Sequence, residues 1–582
     1  MSDYRERPWL GLYQQGKSAD ITPEYGDALA MWHGGAGSDG AAGRPFLYYF
    51  DTAVTGAAVE ADSDALAAAL SARGLGRGDR IALFLQNVPQ FVIAMLAAWK
   101  LGAIAVPVNP MLKERELRYV LADSGAKAII SLQDLWNSVA GRAVEGTEVA
   151  VAVTTSPLDY LDHQPPPLLA GVARTATPGA VDFGELVREY EGKRPAMVAL
   201  GPDDVALLTY TSGTTGDPKG AMNTHGNVVF NACTFRDWMS LTPEDVVLGG
   251  APLFHITGLI AHVAVAMLVP MPIVLGYRFE PATIIRLAER YRCTFTVMAI
   301  TAFSALANDP SVAGADLSSL TKAYSGGAPI APSMVERFER EVGPYIHNVY
   351  GLTETTSPSH AVPFGRRAPV DATSGALSVG VPVFNTVVRI LDDAGNELPP
   401  GEIGEIATSG PMVVPGYWNR PDVTERTLPG GELRTGDVGF MDSDGWFYLV
   451  DRKKDMIVAS GYKVWPREVE DTLVRHPAVR EAAVIGVPDS YRGETVWAYV
   501  SLRPGTSATP EELTEFCRAE LAAYKYPRHI EVLPDLPKTP TGKLLRRELR
   551  QRATGSLPHP VDPFRLDGED DADPVATAVP RG

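Results

Sequence analysis

Residues Thr211 to Gly220 read TSGTTGDPKG, a run of glycine, hydroxyl and lysine side chains able to close around phosphate oxygens. It fails as a Walker loop. Counted from Gly213, the pattern G-x-x-x-x-G-K-[ST] puts Pro218 where the second glycine belongs and Gly220 where the magnesium-binding hydroxyl belongs. What remains is a flexible stretch with hydroxyls from Thr209, Thr211, Ser212, Thr214 and Thr215, three glycines and Lys219. Composition alone favours a polar surface turn over a nucleotide loop, so the rest of the chain has to decide.

Further along stand APLFHITG (Ala251 to Gly258), SGGAPI (Ser325 to Ile330), YGLTET (Tyr350 to Thr355), GEIGEIATSGPMVVPGYWNRP, RTGDVG (Arg434 to Gly439), DRKKDMIVASGYKVWPREVE (Asp451 to Glu470) and PKTPTGKLLRREL (Pro537 to Leu549). With YTSGTTGDPKG, this ordered set resembles the signature of the adenylate-forming enzymes: acyl-CoA synthetases, nonribosomal adenylation domains and beetle luciferases. The segments GYKVWPREVE and DRKKDMI look most like those of medium- and long-chain fatty acyl-CoA synthetases. The similarity covers roughly residues 51 to 550. It implies a large N-terminal α/β adenylation domain (1–451), a small mobile α+β C-terminal domain (452–554) and an acidic tail (555–582) expected to be disordered.

The resemblance also implies roles. Thr211, Ser212, Gly213, Thr214, Thr215 and Lys219 are expected on the phosphates of ATP, with Asn348 and Tyr350 in the same nucleotide site. Gly326, Gly327 and Ala328 offer a side-chain-poor surface for adenine and the acyl group. Glu354, a hard carboxylate oxygen, suits Mg²⁺ on the triphosphate together with Thr211, while the Thr353 hydroxyl suits the α-phosphate. Asp437, expected in a tight glycine turn, could accept both ribose hydroxyls, and Arg452 is expected to assist at ribose or phosphate. Lys543, in PTGK, is expected to bridge the acyl carboxylate and α-phosphate, with Lys454 as the hinge about which the small domain turns. Gly461 and Tyr462 are expected to line the coenzyme A tunnel. Each residue also has an ordinary reading, as a turn, cap or solvated charge; their joint occurrence favours the functional one.

For the acyl pocket the resemblance points to His255, Ser325, Met298 and Gly351. Acetate- and propionate-type enzymes carry tryptophan at the last position, so glycine there is expected to leave room for a longer acid. Nearby Ile256, Leu259 and Ile260 suit a hydrocarbon tail. Aromatic acids stay open, as does an acyl-AMP ligase loading a carrier protein. No phosphopantetheine-type serine motif follows Lys543, no insertion precedes the small domain, and Val458 stands where luciferase-like oxygenases carry lysine. A binding module without catalysis would be expected to lack Lys543 or Glu354.

These residues need a scaffold. SDALAAALSARGLGRGD reads as a helix ending in glycine, IALFLQN as a strand, PQFVIAMLAAWKLGA as a helix opening on proline, and AIAVPVN as a strand. That alternation predicts parallel βαβ units. Pro165 to Gly179 reads as a surface excursion, and EELTEFCRAELAAYK as a helix in the small domain. Phe91–Trp99 is too short for a membrane span; Leu259–Leu275, broken by His262, Pro270 and Pro272, fits a buried helix running into a strand. The chain has 582 residues, a formal net charge of -18 and three well-separated cysteines. The charge disfavours nucleic-acid partners, the cysteines suit a reducing compartment, and the N-terminus lacks a secretory apolar core, so the cytoplasm is expected. Peripheral contact with a membrane and a homodimer both stay open.

Overall fold

The structure, a computed structural model, describes residues 4–211, 217–328, 330–372, 374–452, 455–459, 462–489, 492–538 and 544–555. The expected βαβ units are present. Helix Gly56–Ser71 precedes strand Arg80–Phe84, helix Pro89–Lys100 follows, and strand Ile104–Pro107 pairs parallel with the first strand. Pro89 sits in the first turn, where its missing N–H costs nothing. Helix Pro89–Lys100 is apolar on all sides and buried along its whole length. Even Lys100 is buried, its ammonium 2.6 Å from Asp64 and 2.9 Å from Glu60.

Two large sheets carry the N-terminal part. The seven-stranded sheet runs, edge to edge, through Val181–Asp182, Val151–Thr155, Ala128–Leu132, Arg80–Phe84, Ile104–Pro107, Val205–Thr211 and Lys219–Thr224. Its parallel core ends in an antiparallel pair, and TSGTTGDPKG spans the connection between those last two strands. The nine-stranded sheet holds Phe295–Met298, Lys322–Ser325 and Ile346–Leu352 as parallel neighbours, so Met298, Ser325 and Asn348 stand side by side at one register level.

The apolar stretch after PLFH is buried, as expected: a π-helix (Gly258–Ala264), a short helix (Val265–Leu268) and a strand (Ile273–Leu275). No helix among the described residues is long and apolar enough to cross a membrane. Pro165–Gly179 lies largely exposed, anchored by buried Leu169.

A four-stranded antiparallel sheet (Val387–Leu391, Gly404–Ser409, Leu433–Met441, Phe447–Arg452) carries RTGDVG. The tight turn expected there is instead a bulge. Glu405 pairs with Val438 and Ala407 with Arg434, so the second strand carries extra residues, taken up at Gly436 with φ +70°. Beyond it, a five-stranded sheet (Ile457–Ala459, Tyr462–Val464, Val479–Asp489, Gly493–Leu502, His529–Val532) packs with helices Pro466–Arg475 and Pro510–Glu520 around a separate core that includes Ile457, Val484, Val500 and Cys517. Helix Pro510–Glu520 is shorter than EELTEFCRAELAAYK suggests. Leu521 is extended (ψ 149°), and Pro527 restricts the residue before it, which disfavours continuing the helix.

Candidate functional site

Thr211 and Lys219 are paired residues at the ends of the two antiparallel strands. Ser212, Gly213, Thr214 and Thr215 lie outside the described residues. These strand ends are braced. Tyr210 donates to Asp123 Oδ2 (2.7 Å), Arg420 donates to Asp123 Oδ1 (2.6 Å), and Tyr119 donates to the Pro218 carbonyl (3.0 Å). Burial and the adjacent Asp123 raise the Tyr210 hydroxyl well above the ordinary phenol range, keeping it a donor.

The outer edge of strand Lys219–Thr224 is covered by residues 416–418. Trp418 N–H donates to the Gly220 carbonyl (2.8 Å), Met222 N–H donates to the Gly416 carbonyl (3.0 Å), and Ala221 bridges to Tyr417. The Lys219 ammonium stands 5.7 Å from the Tyr417 ring centroid. The Tyr417 hydroxyl donates to Glu354 Oε1 at 2.7 Å, and Val414 N–H donates to the Glu354 carbonyl (2.9 Å).

Glu354 and Thr353 belong to a 3₁₀ turn, Thr353–Thr355, at the end of strand Ile346–Leu352. The next two residues are left-handed, Thr356 at φ 49° and Ser357 at φ 93°. Two buried asparagines support this strained reversal. Asn223 Nδ2 donates to the Thr353 carbonyl (3.0 Å) and Thr356 Oγ1 (2.9 Å), and Asn231 Nδ2 donates to the carbonyls of Thr355 (2.9 Å) and Thr356 (2.6 Å). Glu354 and Thr211 are half-buried hard-oxygen donors, a set that fits Mg²⁺ sharing its coordination with phosphates and water.

Asp437 is buried on its bulged strand, and its Oδ2 accepts a 2.8 Å hydrogen bond from Tyr350. The two expected nucleotide residues are thus partners, and Arg452 lies opposite Asp437 in the strand register. Asn348 donates to the Ser378 carbonyl (3.1 Å). Gly326 is required sterically: a Cβ there would lie 2.5 Å from the Val349 carbonyl oxygen, and Gly327 takes φ +83° ahead of Ala328. Ser325 is fully buried, and its hydroxyl has no hydrogen-bond partner among the described residues.

On the acyl side, Met298 is buried and packs on Gly250, where a Cβ would lie 2.2 Å from its sulfur. His255 is half-buried, its Nδ1 accepting from Thr257 N–H (3.3 Å). Ile256, Leu259 and Ile260 are buried. The open-space expectation at Gly351 is corrected: a Cβ there would lie 1.7 Å from the Ser357 carbonyl oxygen and 3.0 Å from Pro358 Cα. The glycine admits the neighbouring strand and leaves no vacant volume in that direction.

Lys543, Lys454 and Gly461 lie outside the described residues. Tyr462 is 58% exposed and stacks on Tyr524 (centroids 4.7 Å apart). Sequence reasoning missed four residues that tie these parts together: Tyr417, Asn223, Asn231 and Arg467. Arg467, buried on helix Pro466–Arg475, donates to the carbonyls of Ile330 (3.2 Å) and Leu449 (3.1 Å), so it joins the end of SGGAPI to the strand leading into DRKKD. Tyr417 and Arg467 sit inside quoted motifs, but nothing in their spacing tells which distant residue each meets.

Thr211 and Lys219 at paired strand ends, the Glu354 turn met by Tyr417, and the buried Tyr350–Asp437 pair offer hydroxyl, ammonium and carboxylate groups of the kind that hold a nucleotide. The chain belongs to the AMP-binding enzyme family, whose model matches residues 38–418, and the model for the family's C-terminal domain matches residues 468–543. It is 37% identical over 509 residues to a long-chain-fatty-acid–CoA ligase of Bacillus subtilis (strain 168), covering 85% of this chain and 89% of the relative. A feruloyl-CoA synthase of an Amycolatopsis species is 36% identical over 501 residues, covering 86% and 94%. Among solved structures, an anthranilate CoA ligase in complex with anthranoyl-AMP superposes with a TM-score of 0.82 at 27% identity, covering 93% of this chain and 99% of that one. The fold is the adenylate-forming one, a large α/β part followed by a separate C-terminal unit.

Proposed function

We propose that this chain is an AMP-forming acyl-CoA ligase whose acid is a medium- or long-chain fatty acid. The observation that carries the reading is the 37% identity to a long-chain-fatty-acid–CoA ligase over 85% of this chain, joined to the buried apolar residues Met298, Ile256, Leu259 and Ile260. In the first half-reaction a carboxylate oxygen attacks the α-phosphorus of ATP, pyrophosphate leaves, and an acyl-adenylate forms. In the second, the thiol sulfur of coenzyme A attacks the acyl carbonyl and AMP leaves.

The roles follow from chemistry and position. Lys219 and the loop from Thr211 to Thr215 hold phosphate oxygens, and Thr353 hydrogen-bonds the α-phosphate. Glu354 and Thr211 would hold Mg²⁺, which when bound would offset charge on the triphosphate. Asp437, fixed by Tyr350, accepts ribose hydroxyls, and Arg452 assists at ribose or phosphate. Gly326, Gly327 and Ala328 let adenine and the acyl group approach the backbone. Lys543 meets the charge that concentrates between carboxylate and α-phosphate. The unit from 452 to 554 then turns about Lys454, withdrawing Lys543 and bringing Gly461 and Tyr462 to the thiol path. Positioning and electrostatics suffice, without a covalent protein intermediate.

An aromatic acid is the second reading, favoured by the feruloyl-CoA synthase relative. A panel of fatty acids from C2 to C16 and of hydroxycinnamic acids, each with ATP and coenzyme A, separates the two by kcat/KM. Turnover with hydroxycinnamates alone would replace the fatty acid reading by the aromatic one, and ADP with orthophosphate as products would overturn both.

A further inference from the structure

Residues 414–418 touch both halves of the proposed triphosphate site. Their backbone extends the edge of strand Lys219–Thr224, while Val414 N–H holds the Glu354 carbonyl. From this segment the Tyr417 side chain reaches the Glu354 carboxylate at 2.7 Å, with Lys219 at 5.7 Å from its ring. Tyr417 is 7% exposed, and its own N–H is bound by Thr424 Oγ1 (3.0 Å), so the ring is held from behind. Among the described residues, no other hydrogen bond or ion pair reaches the Glu354 carboxylate. We propose that Tyr417 is a positioning residue for the adenylation step, orienting the Glu354 carboxylate toward Mg²⁺ while its ring sets the height of Lys219 over the triphosphate.

The chemistry asks for such a group. A half-buried carboxylate on a short turn can rotate about its side-chain torsions, and an Mg²⁺ ion tolerates little departure from octahedral geometry. A phenol oriented by packing fixes one oxygen and stays a neutral donor, so it adds no cation to compete with the metal. The ring face also lets Lys219 rest against an aromatic surface without an ion pair that would have to break when phosphate arrives.

This inference rests on the assignment of Glu354 to the metal, and a double-mutant cycle separates the two. The readout is ATP affinity by calorimetry, with no acid present, in saturating Mg²⁺ and in EDTA. The Mg²⁺-dependent gain in affinity should fall roughly tenfold in Tyr417→Phe, the scale of one lost hydrogen bond to a charged group. It should fall further in Glu354→Gln, and Tyr417→Phe should cost nothing more in the Glu354→Gln background. Affinity in EDTA should stay within about twofold for Tyr417→Phe, because the ring under Lys219 remains, and should drop in Tyr417→Leu. An unchanged Mg²⁺ gain in Tyr417→Phe, with Glu354→Gln impaired, overturns the proposal alone. An unimpaired Glu354→Gln overturns the metal assignment beneath it. Equal losses with and without Mg²⁺ in Tyr417→Phe would reduce the tyrosine to a packing role and overturn the proposal as well.

Discussion

Replacing Gly351 by alanine should be severely destabilising, although the change adds one methyl group. The new Cβ would lie 1.7 Å from the Ser357 carbonyl oxygen, 2.6 Å from the Ser357 carbonyl carbon and 3.0 Å from Pro358 Cα. All three are backbone atoms, so no rotamer change relieves the contact. Ser357 is itself fixed in an unusual conformation, at φ 93° after Thr356 at φ 49°, and Asn231 binds the carbonyls of Thr355 and Thr356. Moving the carbonyl by more than an ångström therefore means opening the Gly351–Pro358 pairing. Ordinary overpacking costs about 1–3 kcal/mol, and a clash with fixed backbone belongs above that range, at about 4 kcal/mol or more. For a domain of about 450 residues, with about 2.1 cal/mol/K of unfolding entropy per residue, this corresponds to a fall in Tm of about 4 °C or more. Differential scanning calorimetry of both proteins, with kcat/KM across C2 to C16, tests it. Alanine should lower Tm and depress all chain lengths alike, because it disturbs the turn bearing Glu354 and leaves the tail alone. A variant with wild-type Tm, or one that loses long acids only, would refute this and restore the view of Gly351 as pocket space.

Other expectations follow from the same chain. Lys543→Ala should slow adenylation by on the order of a hundredfold while sparing thioester formation from supplied acyl-adenylate, and Lys454→Pro should do the reverse; equal loss of both half-reactions in both variants would contradict the rotation. Along C4 to C12, kcat/KM should rise by about fourfold per methylene if each buries fully, and a profile peaking at acetate would contradict a hydrocarbon tail site. Burial depresses His225, His262 and His347 to about 4 and His360 to about 3, so the folded state keeps these rings neutral where the unfolded chain protonates. Their stability contribution is fully present above about pH 6.5 and is lost as pH falls through about 4; Tm should decline over that window, and a flat Tm would contradict it.

The chain's motifs were legible because each is a short string whose residues act as neighbours: glycines that let backbones close up at Gly326 and Gly327, and the βαβ alternation around Pro89–Lys100. The bulge at Gly436 was not legible, since a glycine with φ +70° serves a turn or a bulge equally well and the pairing of Glu405 with Val438 decides between them. Gly351 misled for a related reason. A missing side chain reads as space, yet the space is filled by a strand that sequence spacing does not locate. Tyr417 meets Glu354 across 63 residues and Arg467 meets Ile330 across 137, contacts set by tertiary packing.

Transfer of oxygen-18 from labelled carboxylic acid tests the central chemistry most directly. Attack of the carboxylate on the α-phosphorus, followed by thiolysis at the acyl carbon, leaves one carboxylate oxygen on the phosphate of AMP. Mass spectrometry after turnover with coenzyme A should find one labelled oxygen in AMP and none in pyrophosphate. Label in orthophosphate, with ADP as co-product, would mean attack at the γ-phosphorus and would contradict the acyl-adenylate route.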